Sequence, residues 1–182
     1  MILICIKLNQ DPQIEVISMK RKIKNNEQFI EAISFIRKND NENLKRCLGS
    51  LLNVDEQDED GRTLIYYSIN ENNIEALKII LDFGGDVNLK DHNGLTPLHF
   101  ATIAHDPLSI ELLLKHHADV NAQDNNGNTV ISEAIFNSRG RGEVIKILIA
   151  ANADLDIKNN YGISARELTE TIGNYDIKQF LE

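Results

Sequence analysis

Tryptophan is absent, and aromatic residues make up only 5% of the 182. A domain composed this way fills its core with Leu, Ile, Val and Ala, as stacked helical repeats do, and 42% of the chain is hydrophobic. The two cysteines, Cys5 and Cys47, fall in no pattern, which leaves no disulfide framework or zinc site and makes a cytoplasmic setting the default. No apolar run approaches the roughly 18 residues of a transmembrane helix. Basic residues are scarce, 19 against 28 acidic, for a net charge of −9. That balance argues against a nucleic-acid backbone or an anionic membrane as partner. No G-x-S-x-G, H-E-x-x-H, P-loop or G-x-G-x-x-G string occurs. No catalytic residue, metal or cofactor is assigned.

What is present is periodic. The clearest stretch runs from Asp91 to Gln123. Thr96 is placed to cap a helix, with Pro97 at the first helical position, where its fixed φ helps and its missing N–H costs nothing. Leu98, Ala101 and Thr102 follow at helical spacing. Asp106-Pro107 starts a second helix carried by Leu108, Ile110, Leu112 and Leu113, and Ala118–Asn121 leaves it as an extended arm. Such a unit cannot bury its own apolar face, and copies of it surround it. Gly61, Gly94 and Gly127 are spaced 33 apart, with Gly162 after 35, and Asp86, Asp119 and Asp154 keep the same steps. Thr63, Thr96, Thr129 and Ser164 share a helix-capping slot. Gly84, His117 and Asn152 share another, just past the second helix, where the backbone demands φ > 0.

The period and the T-P-L-H-x-A string at Thr96–Ala101 resemble the ankyrin repeat. The resemblance implies an all-α solenoid of helix pairs with extended β-finger arms, in five units including degenerate caps. Residues 1–25 are read as an N-terminal extension, a strand or disordered, and 26–182 as the repeat domain. Its units are 26–57 (N-terminal cap), 58–90, 91–123, 124–158 and 159–182 (C-terminal cap). Met19 looks like an alternative start, so that Met1–Ser18 need not belong to the working protein. In the first cap, Phe29, Ile30, Ile33, Phe35 and Ile36 carry one helix, and Leu44, Cys47, Leu48, Leu51 and Leu52 the other. Tyr66 replaces the histidine that, in the resemblance, ties adjacent arms together, a role given to His99. The third unit carries two extra residues within Asn137–Gly142. The last has Arg166 where leucine is expected and ends after a helix over Asp176–Leu181.

The chemistry left is recognition. Stacked units form a curved slab whose concave side is made by the arm tips and the first helices. The tips offer Glu59, Asp60 and Arg62; His92, Asn93 and Leu95; Asn125, Asn126 and Asn128; Asn160, Tyr161 and Ile163. One slot of the first helices adds Tyr67, Phe100 and Glu133. Tyr67 and Phe100 are either interface anchors of about 2 kcal/mol each or packing against the neighbouring arm. His105, Arg139 and Arg141 complete the candidate partner-binding set. Arg139 and Arg141 meet either the partner or acids of this chain. Residues 1–26 hold five basic and two acidic side chains, a net +3, which leaves −12 on residues 27–182. A field of that sign speeds encounter with a basic partner.

A narrower resemblance covers the last third. The run Phe136–Ile145, then Lys158–Gly162 and Ile172–Asp176, looks like small bacterial ankyrin proteins encoded beside polymorphic toxins and thought to act as immunity proteins. It implies a chain that binds a basic toxin domain; the free chain is expected to be a monomer, and its charge excludes nucleic acid and membrane as partners. The alternatives are a general scaffold or host-directed effector using the same face, and a metal-regulated enzyme subunit using His105, His116 and His117.

Overall fold

The computed structural model describes residues 26–51, 53–171 and 178–180. Expectations for the N-terminal extension and for Leu52, and most of the helix expected over Asp176–Leu181, lie outside these residues; Lys178–Phe180 forms one 3-10 turn. Helix α1 runs through residues 26–37 and pairs with α2 (Asn41–Leu48). The next pairs are α3 (Leu64–Asn70) with α4 (Ile74–Asp82), α5 (Pro97–Ile103) with α6 (Pro107–Lys115), and α7 (Val130–Asn137) with α8 (Glu143–Ala150); α9 (Ala165–Thr171) follows. Helices α3, α5, α7 and α9 neighbour one another in one row, and α2, α4, α6 and α8 in a second.

The rows are held by columns of side chains drawn from successive pairs. Leu44, Leu77, Ile110 and Ile145 are each wholly shielded from water, and Cys47, Ile80, Leu113 and Leu148 form a second buried column. In the first row Ile65, Leu98 and Ile131 do the same. Each such side chain, fully buried, is worth about 1.5–3 kcal/mol. Two residues read as core are not: Ile30 is 60% exposed and Leu108 63%. Both sit beside buried residues of the same helix, on the edge that no neighbouring pair covers. Leu112 and Ile147 are half-buried against the core.

Local chemistry dictates the turns. His117 and Asn152 have φ of 66° and 65°, beside Gly84 at 85°, so the left-handed slot after each second helix is real. A further slot, between paired helices, places Asn39, Asn72 and His105 at φ 53–54°. Asp40, Asn73 and Asp106 follow it, and their side chains accept from the backbone N–H of Asn43, Ala76 and Ser109, capping α2, α4 and α6. These two positions carry the 33-residue period back into α1–α2.

The arms differ from the expected β-fingers. Among the described residues no strand forms; the arms are successions of turns with two isolated antiparallel bridges, Gln123 with Thr129 and Lys158 with Ser164. The reason lies in Asp58, Asp91, Asp124 and Asn159, whose side-chain oxygens take the backbone N–H groups two and four residues on, at 2.8–3.0 Å. Donors committed to these side chains are withdrawn from a strand ladder. Successive arms are instead stapled by one backbone bond each, His92 N–H to the Asp60 carbonyl, Asn125 to Asn93 and Asn160 to Asn126, at 2.9–3.0 Å, and by side chains.

Gly94 illustrates the cost of that closeness. Its φ is +82°, and a Cβ there would strike the backbone and side chain of Asn125, whereas Gly162, at +78°, faces open space. Gly162→Ala should therefore cost only left-handed strain, about 1 kcal/mol. Gly94→Ala should cost distinctly more, lowering the melting temperature by at least a further ~2–4 °C. Paired thermal melts of the two variants measure the difference.

Candidate protein-binding face

His99 lies at the centre of this face's support. Its ring is wholly buried, its Nδ1 meets the backbone N–H and hydroxyl of Thr96, and its Nε2 lies 3.4 Å from the Asn128 carbonyl of the next arm. It joins its own helix to the neighbouring arm, the structural role expected of it. Where Tyr66 takes the histidine's place, an aromatic contact replaces the hydrogen bond: Tyr66 stands edge-on to Phe100, centroids 4.5 Å apart, with the Arg62 guanidinium over its ring.

The first-helix slot is used in three different ways. Tyr67 donates its hydroxyl to Asp58 at 2.6 Å, meets the edge of Phe29 and lies beneath Arg37. Burial first, then the bond to Asp58 and that residue's charge, push the phenol up to about 12. Phe100 packs half-buried against Tyr66. Glu133 is half-buried and accepts from the Asn137 side chain at 3.1 Å. Burial, and then the nearby Asp124 carboxylate, raise its pKa against the bond from Asn137.

Tyr67 separates two shallow depressions. One, of about 450 Å³, is lined by Phe29, Ile30 and Ile33 with Glu56, Asp58 and Glu59; the other, of about 360 Å³, includes Ile33, Ser34, Arg37 and Lys38. The exposure of Ile30, which the sequence placed in the core, supplies their apolar wall.

The tip residues divide by what their side chains already do. Asn125 donates to the His92 carbonyl at 2.9 Å and Asn160 to the Asn125 carbonyl at 3.0 Å, so both amides hold arm to arm. Asn93 turns to Asp91, and Asn126 and Asn128 to Asp124; Asn128 also accepts from Asn159. Arg62 pairs with Asp60 at 2.8 Å. Glu59 and His92 are exposed, Tyr161 is 75% exposed and Leu95 half-buried. His105 directs Nε2 at the Asn137 carbonyl at 2.8 Å, clamping the α5–α6 turn to the end of α7. No group of three or more metal-ligating side chains gathers among the described residues, which removes the geometric basis for a metal site at His105, His116 and His117. Arg139 and Arg141 are exposed, and neither pairs with an acid among the described residues.

Two surface residues escaped the sequence reading. Ile103, 40% exposed, and Phe136, 70% exposed, stand 33 apart on the neighbouring helices α5 and α7. Each lies three residues past the Phe100 and Glu133 slot, hence on the same helical face. That spacing was the available signal.

Burial holds the His99 pKa below the ordinary imidazole value of 6.5 despite the bond to Asn128. The unfolded chain therefore takes up a proton first, and His99's contribution to stability, complete above about pH 6.5, is lost as pH falls toward its folded value. Melting temperatures between pH 7.5 and 5 should fall for the native chain and fall less steeply for His99→Gln. Glu133 has the opposite sign. Its raised pKa means that the ionised form penalises the fold at neutral pH, and the penalty lifts on acidification. Glu133→Gln should melt higher than the native chain at pH 7, with the gap closing toward pH 4.

Compared with known families, the chain matches Ankyrin repeats in three copies, over residues 29–124 and 84–159. No curated protein matches it. Among the described residues no helix is long and apolar enough to cross a membrane. The matched segments together span well over half of the chain, so it belongs to the ankyrin-repeat family, whose repeats are protein–protein interaction modules.

Proposed function

We propose that this chain is an immunity-type inhibitor, a monomer when free, which binds a basic bacterial toxin domain in the cytoplasm and blocks it. The observation that carries the reading is the depression beside Tyr67, where an apolar floor of Phe29, Ile30 and Ile33 is rimmed by Glu56, Asp58 and Glu59. A floor of that kind suits an aliphatic or aromatic side chain, and the rim suits the cations around it. Such complementarity raises the association rate and selects the partner more than it raises final affinity. Five units serve the purpose, with residues 26–57 and 159–182 closing the two ends of a domain over 26–182. At the second end Arg166 is exposed and pairs bidentately with Asp156, at 2.7 and 3.0 Å, a polar finish suited to water.

The test is neutralisation. Bacteria producing a toxin domain encoded beside this gene should survive only when this chain is co-produced. The variant Glu59→Lys reverses a charge at the rim without touching the core. It should bind at least tenfold more weakly, about 1.4 kcal/mol, chiefly through slower association, as measured by surface plasmon resonance. A neighbouring toxin domain that kills regardless of this chain would reject the immunity reading.

A further inference from the structure

The face continues beyond the Tyr67 depression to a second surface. It runs along α7 and onto the loop after it. Glu133 stands at its arm end, half-buried and, among the described residues, accepting only from Asn137. One helical turn on, roughly 5 Å along the surface, Phe136 is 70% exposed, and Ile103 lies beside it in the same register of the adjacent helix. Just past the helix, Arg139 and Arg141 are exposed without an acidic partner among the described residues. Single exposed apolar residues are ordinary. Two in register, bounded by an acid on one side and two arginines on the other, make an ordered pattern.

The surface is also rigid where it needs to be. His105 clamps the α5–α6 turn to the Asn137 carbonyl. Beyond it, buried Ser138 accepts from the Arg141 N–H at 2.8 Å. Arg139 is held at φ 47°, as Asn39, Asn72 and His105 are held in the turns between the other paired helices, so the fold fixes its backbone. Glu133 penalises the fold while ionised. A half-buried carboxylate that the fold holds at a loss beside Asp124 is a group a binding surface can use. Aromatic side chains and arginines are, in addition, the residues that carry interface energy.

We propose that this strip receives a short protein segment with one large apolar side chain against Phe136 and Ile103, a basic side chain toward Glu133 and an acidic one toward Arg139 and Arg141. The inference rests on the chain being a protein binder and deepens that reading; it does not require the partner to be a toxin. Both signs of charge are needed because the strip carries both, and a uniformly basic segment would meet Arg139 and Arg141 unfavourably.

Short synthetic peptides test it, with a leucine or phenylalanine flanked by lysine on one side and glutamate on the other, by lysine on both, or by glutamate on both. Titrations at physiological salt, where long-range attraction to this acidic chain is screened, should favour the mixed peptide at least tenfold. Arg139→Glu with Arg141→Glu should transfer the preference to the doubly basic peptide, and Glu133→Lys to the doubly acidic one. Phe136→Ser should abolish binding of all three, with far-ultraviolet circular dichroism confirming that each variant is folded. Absence of binding, absence of a preference, or a preference indifferent to these substitutions would overturn the proposal. A toxin neutralised undiminished by the Phe136→Ser variant also overturns it while leaving the immunity reading intact; selective peptide binding without neutralisation does the reverse.

Discussion

Leu44, Leu77, Ile110 and Ile145 stand in successive helices of one row, each entirely cut off from water, and no helix pair could keep its member of that column dry alone. The fold is thus a chain of mutual shielding, in which each pair supplies the wall its neighbour lacks. Burial of this kind is non-directional, so it brings the pairs together without setting their register. Register comes from polar groups at the two ends of the stack's cross-section. At one end are the staples between arm tips. At the other are Asn73, which reaches the Ile36 carbonyl at 3.1 Å, and His105, which reaches Asn137.

This division explains what was legible beforehand. Features that one backbone conformation forces on many residue types recur at a fixed period and can be read: threonine or serine before α3, α5, α7 and α9, and glycine, histidine or asparagine after α4, α6 and α8. The asparagine and aspartate turns of the arms are equally periodic, but the choice they make between turn and strand is local. It depends on whether the side chain at Asp91 or Asp124 captures the following N–H groups, and where it does, pairing across the arm stops at single bridges such as Gln123 with Thr129. Ile30 and Leu108 were misplaced for a different reason. An apolar pattern shows which helix has a buried face and leaves open how wide that face is, and width is set by the neighbour, which differs at each end of the stack.

The tip residues show the same limit from the side of function. Asn125, Asn126 and Asn160 look like a polar contact surface in the sequence, yet their amides are engaged in holding the arms. Glu59, His92 and Tyr161 occupy comparable places and remain open to solvent. Only an amide can donate as these asparagines do, and the carboxylate of Glu59 cannot. Whether an acceptor lies in reach, a carbonyl of the adjacent arm for Asn125 and Asn160 or the Asp124 side chain for Asn126, follows only from the folded arms.

Position in the repeat nonetheless says where the units differ most in chemistry. The slot held by Tyr67, Phe100 and Glu133 contains a hydrogen-bonding phenol, a packed ring and a desolvated carboxylate, although the three helices share one geometry. The fully buried position two residues earlier shows less latitude, holding leucine or isoleucine at Ile65, Leu98 and Ile131. Half-exposure gives the slot its freedom and leaves its occupants within reach of solvent. Glu133 sharpens the point, because its charge faces Asp124 and weakens the structure that carries it. In the binding reading proposed above, a cation brought by a partner is the group that would turn that loss into affinity.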